Sequence, residues 1–391
     1  MEKLLKRNIL FIQFANSMFE RHNACDTYWD TFYNTWQEIG YYKGKEVFEI
    51  PKWIAEISYF LTIDNKELFY CINTINEAIE KIHSNKYDFV LMSLMNANQH
   101  MIKEIISVCK EQKFLVGGYN DKFMYEMANE LPNVKICDTT EDTANYLGVP
   151  YIFGTDYDLF KNEKIIPRLT LSYGCLNNCK FCIVPHNKIT NVSNNVIYQQ
   201  MESFKNLDYR LIYIDDKTFG QATNYKILKD LSENYTQSNF NGFIVQTTTG
   251  MVVKMGNEFK DINVKVVEIG LETYNDKLLR KFRKPSTEKL INHSILAAKE
   301  NNIMLIANLI IGLDGETEET YQRTYDFVMP LLEKEKLIGI NPAIYTDYSN
   351  DENLGEINFM KNEQYELNMK WWDKFNNMAS EILSRKNKAI I

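Results

Sequence analysis

The chain has 391 residues, 45% hydrophobic and 25% charged, with 16 glycines and 8 prolines. At roughly 150 residues per domain this means two or three packed domains, and it excludes a single small module and a disordered or collagen-like chain. The longest apolar runs, 89–95 and 304–313, fall short of the about 20 residues a membrane span needs, and a formal net charge of −8 argues against a general polyanion binder, so a large nucleic acid is the least favoured partner.

The N-terminal MEKLLKRNILFIQF imitates a signal peptide, but its apolar run is short and no small-residue cleavage site follows, so it reads as a first strand. The alternation then continues with a helix around PKWIAEISYFL, the strand ELFYCI, the helix NEAIEKIHS and the strand YDFVLMSLM. After these come the helix HMIKEIISVCKE, the strand KFLVGGY, the helix KFMYEMANEL, the strand NVKICD and a helix near DTANYLG. Continuous apolar strands separated by helices predict a doubly wound parallel sheet over residues 1–150. Ligands of such sheets sit at the carboxyl ends of the strands, which points to Ser93, Gly117 and Gly118, although a Gly-Gly after a strand also serves as a plain tight turn. The aromatic-rich stretch 15–50 interrupts the alternation and suits a cover over the site.

Seven cysteines are present, three of them within eight residues. Cys25, Cys71, Cys109 and Cys137 are scattered singly, which suits a reducing cytoplasm and a role as small buried apolar groups. The other three, Cys175, Cys179 and Cys182, form C-x3-C-x2-C directly after the strand RLTLS. Three thiolates on one loop can each hold one iron of a [4Fe-4S] cubane and leave the fourth iron without a protein ligand. That open iron can take the amino and carboxylate groups of S-adenosylmethionine (SAM) and pass an electron to its sulfonium. The competing readings are a Cys3His zinc site completed by His186 and three unligated structural cysteines.

Beyond the loop come the strand RLIYIDD, the helix NYKILKDLSENY, the strands GFIVQTTTG and VKVVEIGLET, the helix STEKLINHSILAAKENN, the strand IMLIANLIIGL and the helix EETYQRTYDFVMPLLEKE, which fits a partial barrel of parallel strands with chemistry at their carboxyl ends. Polar residues gather there: Asp215, Asp216, Gln246, Thr248, Glu272 and Asn308, each of which alone could be a cap or a turn. Tyr213, Lys217, Arg280 and Tyr345 complete a candidate pocket. INPAIYTDYSND, at 340–351, would close the barrel mouth, where Tyr345 and Tyr348 could relay a hydrogen atom or simply pack. The tail is helical in period, and of the adjacent Trp371 and Trp372 one should pack while the other faces a partner or the site.

The cysteine spacing, with Phe181 before the last cysteine, resembles the radical SAM superfamily. The order of a doubly wound domain, a linker and this barrel resembles its cobalamin (B12)-binding class over nearly residues 5–335. The resemblance implies an N-terminal Rossmann-like, B12-binding-type domain (1–150), a linker (151–166), a partial TIM-type (β/α)6 radical SAM barrel (167–335) and a helical extension (336–391). It implies that IDD, with Asp216, contacts the SAM amino group, that GLE, with Glu272, lies near the ribose, and that NLIIGLDGE passes the adenine. Asn308 stands where the family pattern often has Gly, which leaves the adenine contacts to backbone around Ile310 and Gly312. A corrin, if bound, would face Asn96 and Asn98, although the D-x-H-x-x-G lower-ligand motif does not occur.

The expected activity is radical chemistry on a small molecule or peptide, with methylation if cobalamin is held and rearrangement, oxidation or cyclisation if the first domain is a platform. The expected electron donor is a flavodoxin or ferredoxin. A methylthiotransferase resemblance is the weaker alternative, because Cys25, Cys71 and Cys109 do not have that family's spacing and only about 55 residues follow the barrel. A non-enzymatic metal-binding interaction protein is the other class in competition.

Overall fold

A computed structural model describes residues 6–14, 18, 52–94, 98–118, 121–161, 165–182, 184, 188–334, 338–345 and 364–388. The expectations for Asn96, His186, Tyr348 and nearly all of 15–50 fall outside these residues.

The first unit alternates β1 (Asn8–Phe14), α1 (Lys52–Phe60), β2 (Asn65–Cys71), α2 (Ile75–Ser84), β3 (Phe89–Leu94), α3 (Gln99–Val108), β4 (Phe114–Gly118), α4 (Asp121–Glu130), β5 (Val134–Ile136) and α5 (Thr140–Tyr146). Its sheet has the order β2-β1-β3-β4-β5, and every pair is parallel. The strands read as unbroken apolar runs because both faces are buried. Leu10, Ile12, Phe14, Val90, Met92, Phe114 and Val116 enter one core, while Ile9, Phe11, Leu91 and Leu115 enter the other.

The second core does not end at this sheet. It takes in Ile54, Ile57 and Phe60 of α1 and continues through Leu169, Leu211, Val266 and Leu305 of the following unit. That unit comprises β6 (Arg168–Leu169), β7 (Ser172–Cys175), β8 (Lys188–Asn191), α6 (Asn194–Glu202), β9 (Leu211–Ile214), α7 (Ile227–Asn234), β10 (Gly242–Thr247), α8 (Thr249–Asp261), β11 (Val264–Glu272), α9 (Asp276–Lys281), α10 (Glu288–Glu300), β12 (Met304–Ile311), α11 (Glu318–Lys334), β13 (Ile338–Ile344) and α12 (Tyr365–Lys388). Six parallel strands lie in the order β6-β9-β10-β11-β12-β13, the half-barrel expected, and β7 and β8 form a separate antiparallel pair that carries the cysteine loop.

Three local expectations change. The stretch expected to close the barrel mouth begins instead as the sixth strand, since β13 pairs with β12 from Leu305↔Ile338 to Ile311↔Ile344. The strand expected to run through Thr248 stops at Thr247, because the Thr248 hydroxyl accepts from Met251 N and caps α8. Trp371 and Trp372 are both buried, as α12 lies against α11 with Trp371 stacked on Tyr321.

Candidate active site

The loop that carries the three cysteines is fixed from behind by one carboxylate. Asp216, just past β9, accepts from Leu171 N (3.0 Å) and Ser172 N (2.9 Å) through Oδ1 and from the Ser172 hydroxyl (2.7 Å) through Oδ2. Burial pushes its carboxyl up to about 6 against these three donors. The Asp216 side chain thus anchors the strand that leads into Cys175, and both its oxygens are engaged there. The SAM amino contact expected of Asp216 would come in addition to these three bonds.

Cys175 and Cys179 are buried and Cys182 half-buried. The Cys175 sulfur lies 3.2 Å from the Thr218 hydroxyl and accepts from Asn177 N at 3.3 Å. Leu176 N donates to Gln221 (2.8 Å), Cys182 N to Cys179 O (3.2 Å), and Lys180 N to Phe282 O (3.0 Å), so both arms of the loop are tied to the barrel. Among the described residues no three Cys, His, Asp or Glu side chains converge closely enough to share one metal ion. A cubane asks for one thiolate per iron instead.

Beside the thiols stands a residue that the sequence reading left out. The Lys284 ammonium, on a side chain 9% exposed, pairs with Glu272 Oε1 at 2.5 Å and lies 5.7 Å over the Phe181 ring. Burial works against its charge, but Glu272 and the thiols of Cys179 and Cys182 hold it protonated. Burial in turn pushes the Cys179 thiol up to about 11, with Lys284 pulling the other way. Gly270 makes room for the pair, because a Cβ there would come within 2.2 Å of Lys284 Nζ and 2.3 Å of Glu272 Oε1. Glu272 itself sits at a bulge in β11 with φ 64, a left-handed conformation that aims its side chain at the lysine.

Phe181 and Phe282 are 6.3 Å apart, and Phe282 meets the Tyr345 ring at 5.8 Å, which places Tyr345 in the same aromatic group as the loop. Asn341 donates to Asn308 at 3.1 Å, so the asparagine within β12 is met by another on β13. Gln246 lies in β10, opposite Glu268 in β11, and Ile310 and Gly312 lie where β12 ends. Arg280, by contrast, is exposed and donates back to Asp276 O (3.1 Å) within its own helix, so its contact does not join the pocket.

Asp215 turns toward the first unit. It meets Lys52 of α1 at 3.0 Å and Arg168 at 2.9 Å, and although burial opposes ionisation these cations hold its carboxyl well below the usual range. Arg168 lies 4.8 Å over the Tyr213 ring, and Lys217 approaches Asp215 at 4.0 Å. On the other side of α1, a cavity of about 250 Å³ opens at the carboxyl ends of β3, β4 and β5. Trp53 and Ile57 of α1, Ser93, Gly117, Gly118, Cys137 and Thr139 line it. The two glycines are required by strand spacing: a Cβ on Gly118, at φ +152, would lie 1.8 Å from Leu94 O, and one on Gly117 2.7 Å from Cys137 O. Asn98 closes the β3 loop by donating to Ser93 O (3.0 Å).

Residues 169–328 match the radical SAM superfamily, so the chain carries a radical SAM domain and is an enzyme; the superfamily works with a [4Fe-4S] cluster and SAM. Among curated proteins it is similar to the ribosomal protein uS12 methylthiotransferase RimO of Thermodesulfovibrio yellowstonii, 21% identical over 71% of this chain and 70% of that protein. It is also similar to the tRNA-2-methylthio-N(6)-dimethylallyladenosine synthase of Hydrogenobaculum sp., 22% identical over 59% of this chain and 58% of that protein. Among solved structures it shares its fold with the radical SAM methyltransferase TsrM of Kitasatospora setae, with cobalamin and a [4Fe-4S] cluster bound (TM-score 0.55, 11% identity, 86% of this chain and 72% of that one). It also resembles the cobalamin-dependent SAM radical enzyme OxsB, with aqua-cobalamin and SAM bound (TM-score 0.58, 13% identity, 94% of this chain and 56% of that one). The doubly wound domain ahead of a half-barrel is thus a fold that the chain shares with these two structures.

Proposed function

We propose that the chain is a cobalamin-dependent radical SAM enzyme that methylates an unactivated carbon of a small-molecule or peptide substrate. The observation that carries the radical SAM site is the three-thiol loop backed by the buried Lys284–Glu272 pair. The donor set fits a cubane: three soft thiols on one loop, two of them buried, with an N–H and a hydroxyl directed at Cys175. When bound, a [4Fe-4S] cluster with SAM on its open iron supplies the electron that cleaves SAM to a 5′-deoxyadenosyl radical.

The chain's own residues do the rest by charge, position and exclusion of water. Lys284 offsets the negative charge of the thiolates and, with three N–H donors and one used by Glu272, keeps others for a SAM carboxylate. Asp216 and Thr218 hold the strand and the first cysteine, and Phe181, Phe282 and Tyr345 keep that side apolar. Tyr345 is the residue proposed to face the substrate and relay a hydrogen atom, with Gln246, Thr248, Asn308, Ile310 and Gly312 around SAM.

The cavity beside Ser93, Gly117 and Gly118 supports the corrinoid part of the reading. At about 250 Å³ it is smaller than the roughly 300–1,000 Å³ of a drug-sized site, and it would suit one arm of a large cofactor. Of the three cysteines that bear on the methylthiotransferase alternative, Cys71 and Cys109 are buried in one core of the first unit and Cys25 lies outside the described residues. The test is anaerobic reconstitution with iron and sulfide, followed by spectra with and without hydroxocobalamin and a dithionite assay for 5′-deoxyadenosine. Cluster absorbance, retained corrin and 5′-deoxyadenosine are expected. Loss of corrin with 5′-deoxyadenosine retained would make the first domain a platform, and stoichiometric zinc without a cluster would sink the reading.

A further inference from the structure

The peptide bond between Ile311 and Gly312, where β12 leaves the sheet, is held on both of its polar edges. Its carbonyl oxygen, on Ile311, accepts from Tyr345 N at 2.8 Å. Its N–H, on Gly312, donates to the Tyr321 hydroxyl at 2.8 Å, and that hydroxyl donates in turn to Asn368 Oδ1 at 2.7 Å. Gly312 has φ 98, a conformation that favours glycine. Both side chains are buried, Tyr321 1% and Asn368 0% exposed, and they come from helices outside the sheet, α11 and α12.

We propose that Tyr321 and Asn368 are positioning residues for SAM: they lock the Ile311–Gly312 peptide and so preset the backbone that meets the adenine ring. The inference rests on the radical SAM reading above. A tyrosine hydroxyl has one proton, and here it goes to Asn368, so an oxygen lone pair is left for the Gly312 N–H and the plane of the peptide is fixed in one sense. A peptide with neither edge held can rotate against its neighbours, and a ligand that needs one orientation then binds only the fraction of molecules that have it. The carboxyl-terminal helix thus acts on the nucleotide end of SAM through two hydrogen bonds, without touching it. The bonds made by Tyr321 and Asn368 do not include the thiol loop or Lys284.

That separation sets the experiment. The protein would be reconstituted as wild type, Tyr321→Phe, Asn368→Ala and, as a control that loosens α12 far from Tyr321, Ile382→Ala, a buried residue fourteen positions past Asn368 on the same helix. Hydrogen exchange at the Gly312 amide would be followed without ligand, and binding of SAM, 5′-deoxyadenosine and methionine measured separately. We expect faster exchange and about five- to tenfold weaker SAM and 5′-deoxyadenosine binding in Tyr321→Phe and Asn368→Ala, the loss of one buried hydrogen bond, with methionine binding unchanged. Wild-type exchange or wild-type SAM affinity in Tyr321→Phe overturns the proposal, as does an equal loss in Ile382→Ala. A wild-type chain that binds none of the three ligands overturns the radical SAM reading and the proposal with it.

Discussion

Single residues decide where charge is tolerated in this barrel, and Lys284 is the clearest case. Replacing Lys284 with Met would leave Glu272 buried without a cation, a loss of about 3–5 kcal/mol, whereas Lys284→Met combined with Glu272→Gln should recover much of it. Urea unfolding of the two variants, without cluster, measures the difference. The three cysteines were legible because they share one loop, but Lys284 was not. It lies twelve residues past Glu272 and turns inward only because α9 ends on Arg283 at φ 54, so that Lys284 N reaches Leu279 O (2.9 Å). A left-handed arginine leaves no mark in a sequence as a glycine would.

Glu316 makes a second prediction at this scale. Burial pushes its carboxyl up to about 7, against hydrogen bonds from Thr320 and Thr273. The group is held neutral in the fold and ionises freely when unfolded, near 4.5. The stability it contributes is therefore whole below pH about 4.5 and is lost as the pH rises through about 7, a span on the order of 3 kcal/mol. Unfolding free energies from pH 4 to 9 should fall less steeply in Glu316→Gln than in the wild type; parallel curves would reject this assignment.

At the scale of elements, two glycines with left-handed φ separate crowding from backbone strain. Gly118→Ala drives a Cβ into the Leu94 carbonyl, so β3 and β4 must part and the cavity between them deforms. Gly148, at φ +66, has nothing within 4 Å of the same added atom, and Gly148→Ala should cost only the roughly 1 kcal/mol of an unfavourable backbone. Melting temperatures of the two variants should differ by many degrees, with Gly118→Ala the lower. The alternation of strand and helix in the first unit was readable because each strand is a continuous apolar run. The reading passed over α8, whose apolar positions Val252, Met255 and Phe259 are interrupted by Gly256. That glycine lets the helix pack close to α10, since a Cβ there would meet Asn301 Nδ2 at 2.9 Å. Nor was β13 marked as a strand in the stretch expected to close the barrel mouth; its Pro342 is tolerated because the strand is at the edge of the sheet.

For the molecule as a whole, the two units are joined by Lys52–Asp215 (3.0 Å) and by a core that neither owns alone. Asp215→Asn should cost about 3–5 kcal/mol, because Lys52 and Arg168 would lose a common buried partner. Far-ultraviolet dichroism and near-ultraviolet dichroism should still report one coincident transition, since the shared core unfolds with both sheets. Two separated transitions would contradict it. The order of the units was visible in the sequence, but their union was not: alternation assigns residues to faces of a sheet without saying what each face meets.

The divided burial of β1, β3 and β4 also bears on how such a protein can be recombined. Most of what those strands bury is private to the first sheet, while Ile9, Phe11, Leu91 and Leu115 enter the core that α1 and the barrel share. The first domain is therefore no interchangeable cassette. A graft from a relative would carry over its fold and its cavity, yet it would arrive with the wrong complement on one face unless that surface travelled with it.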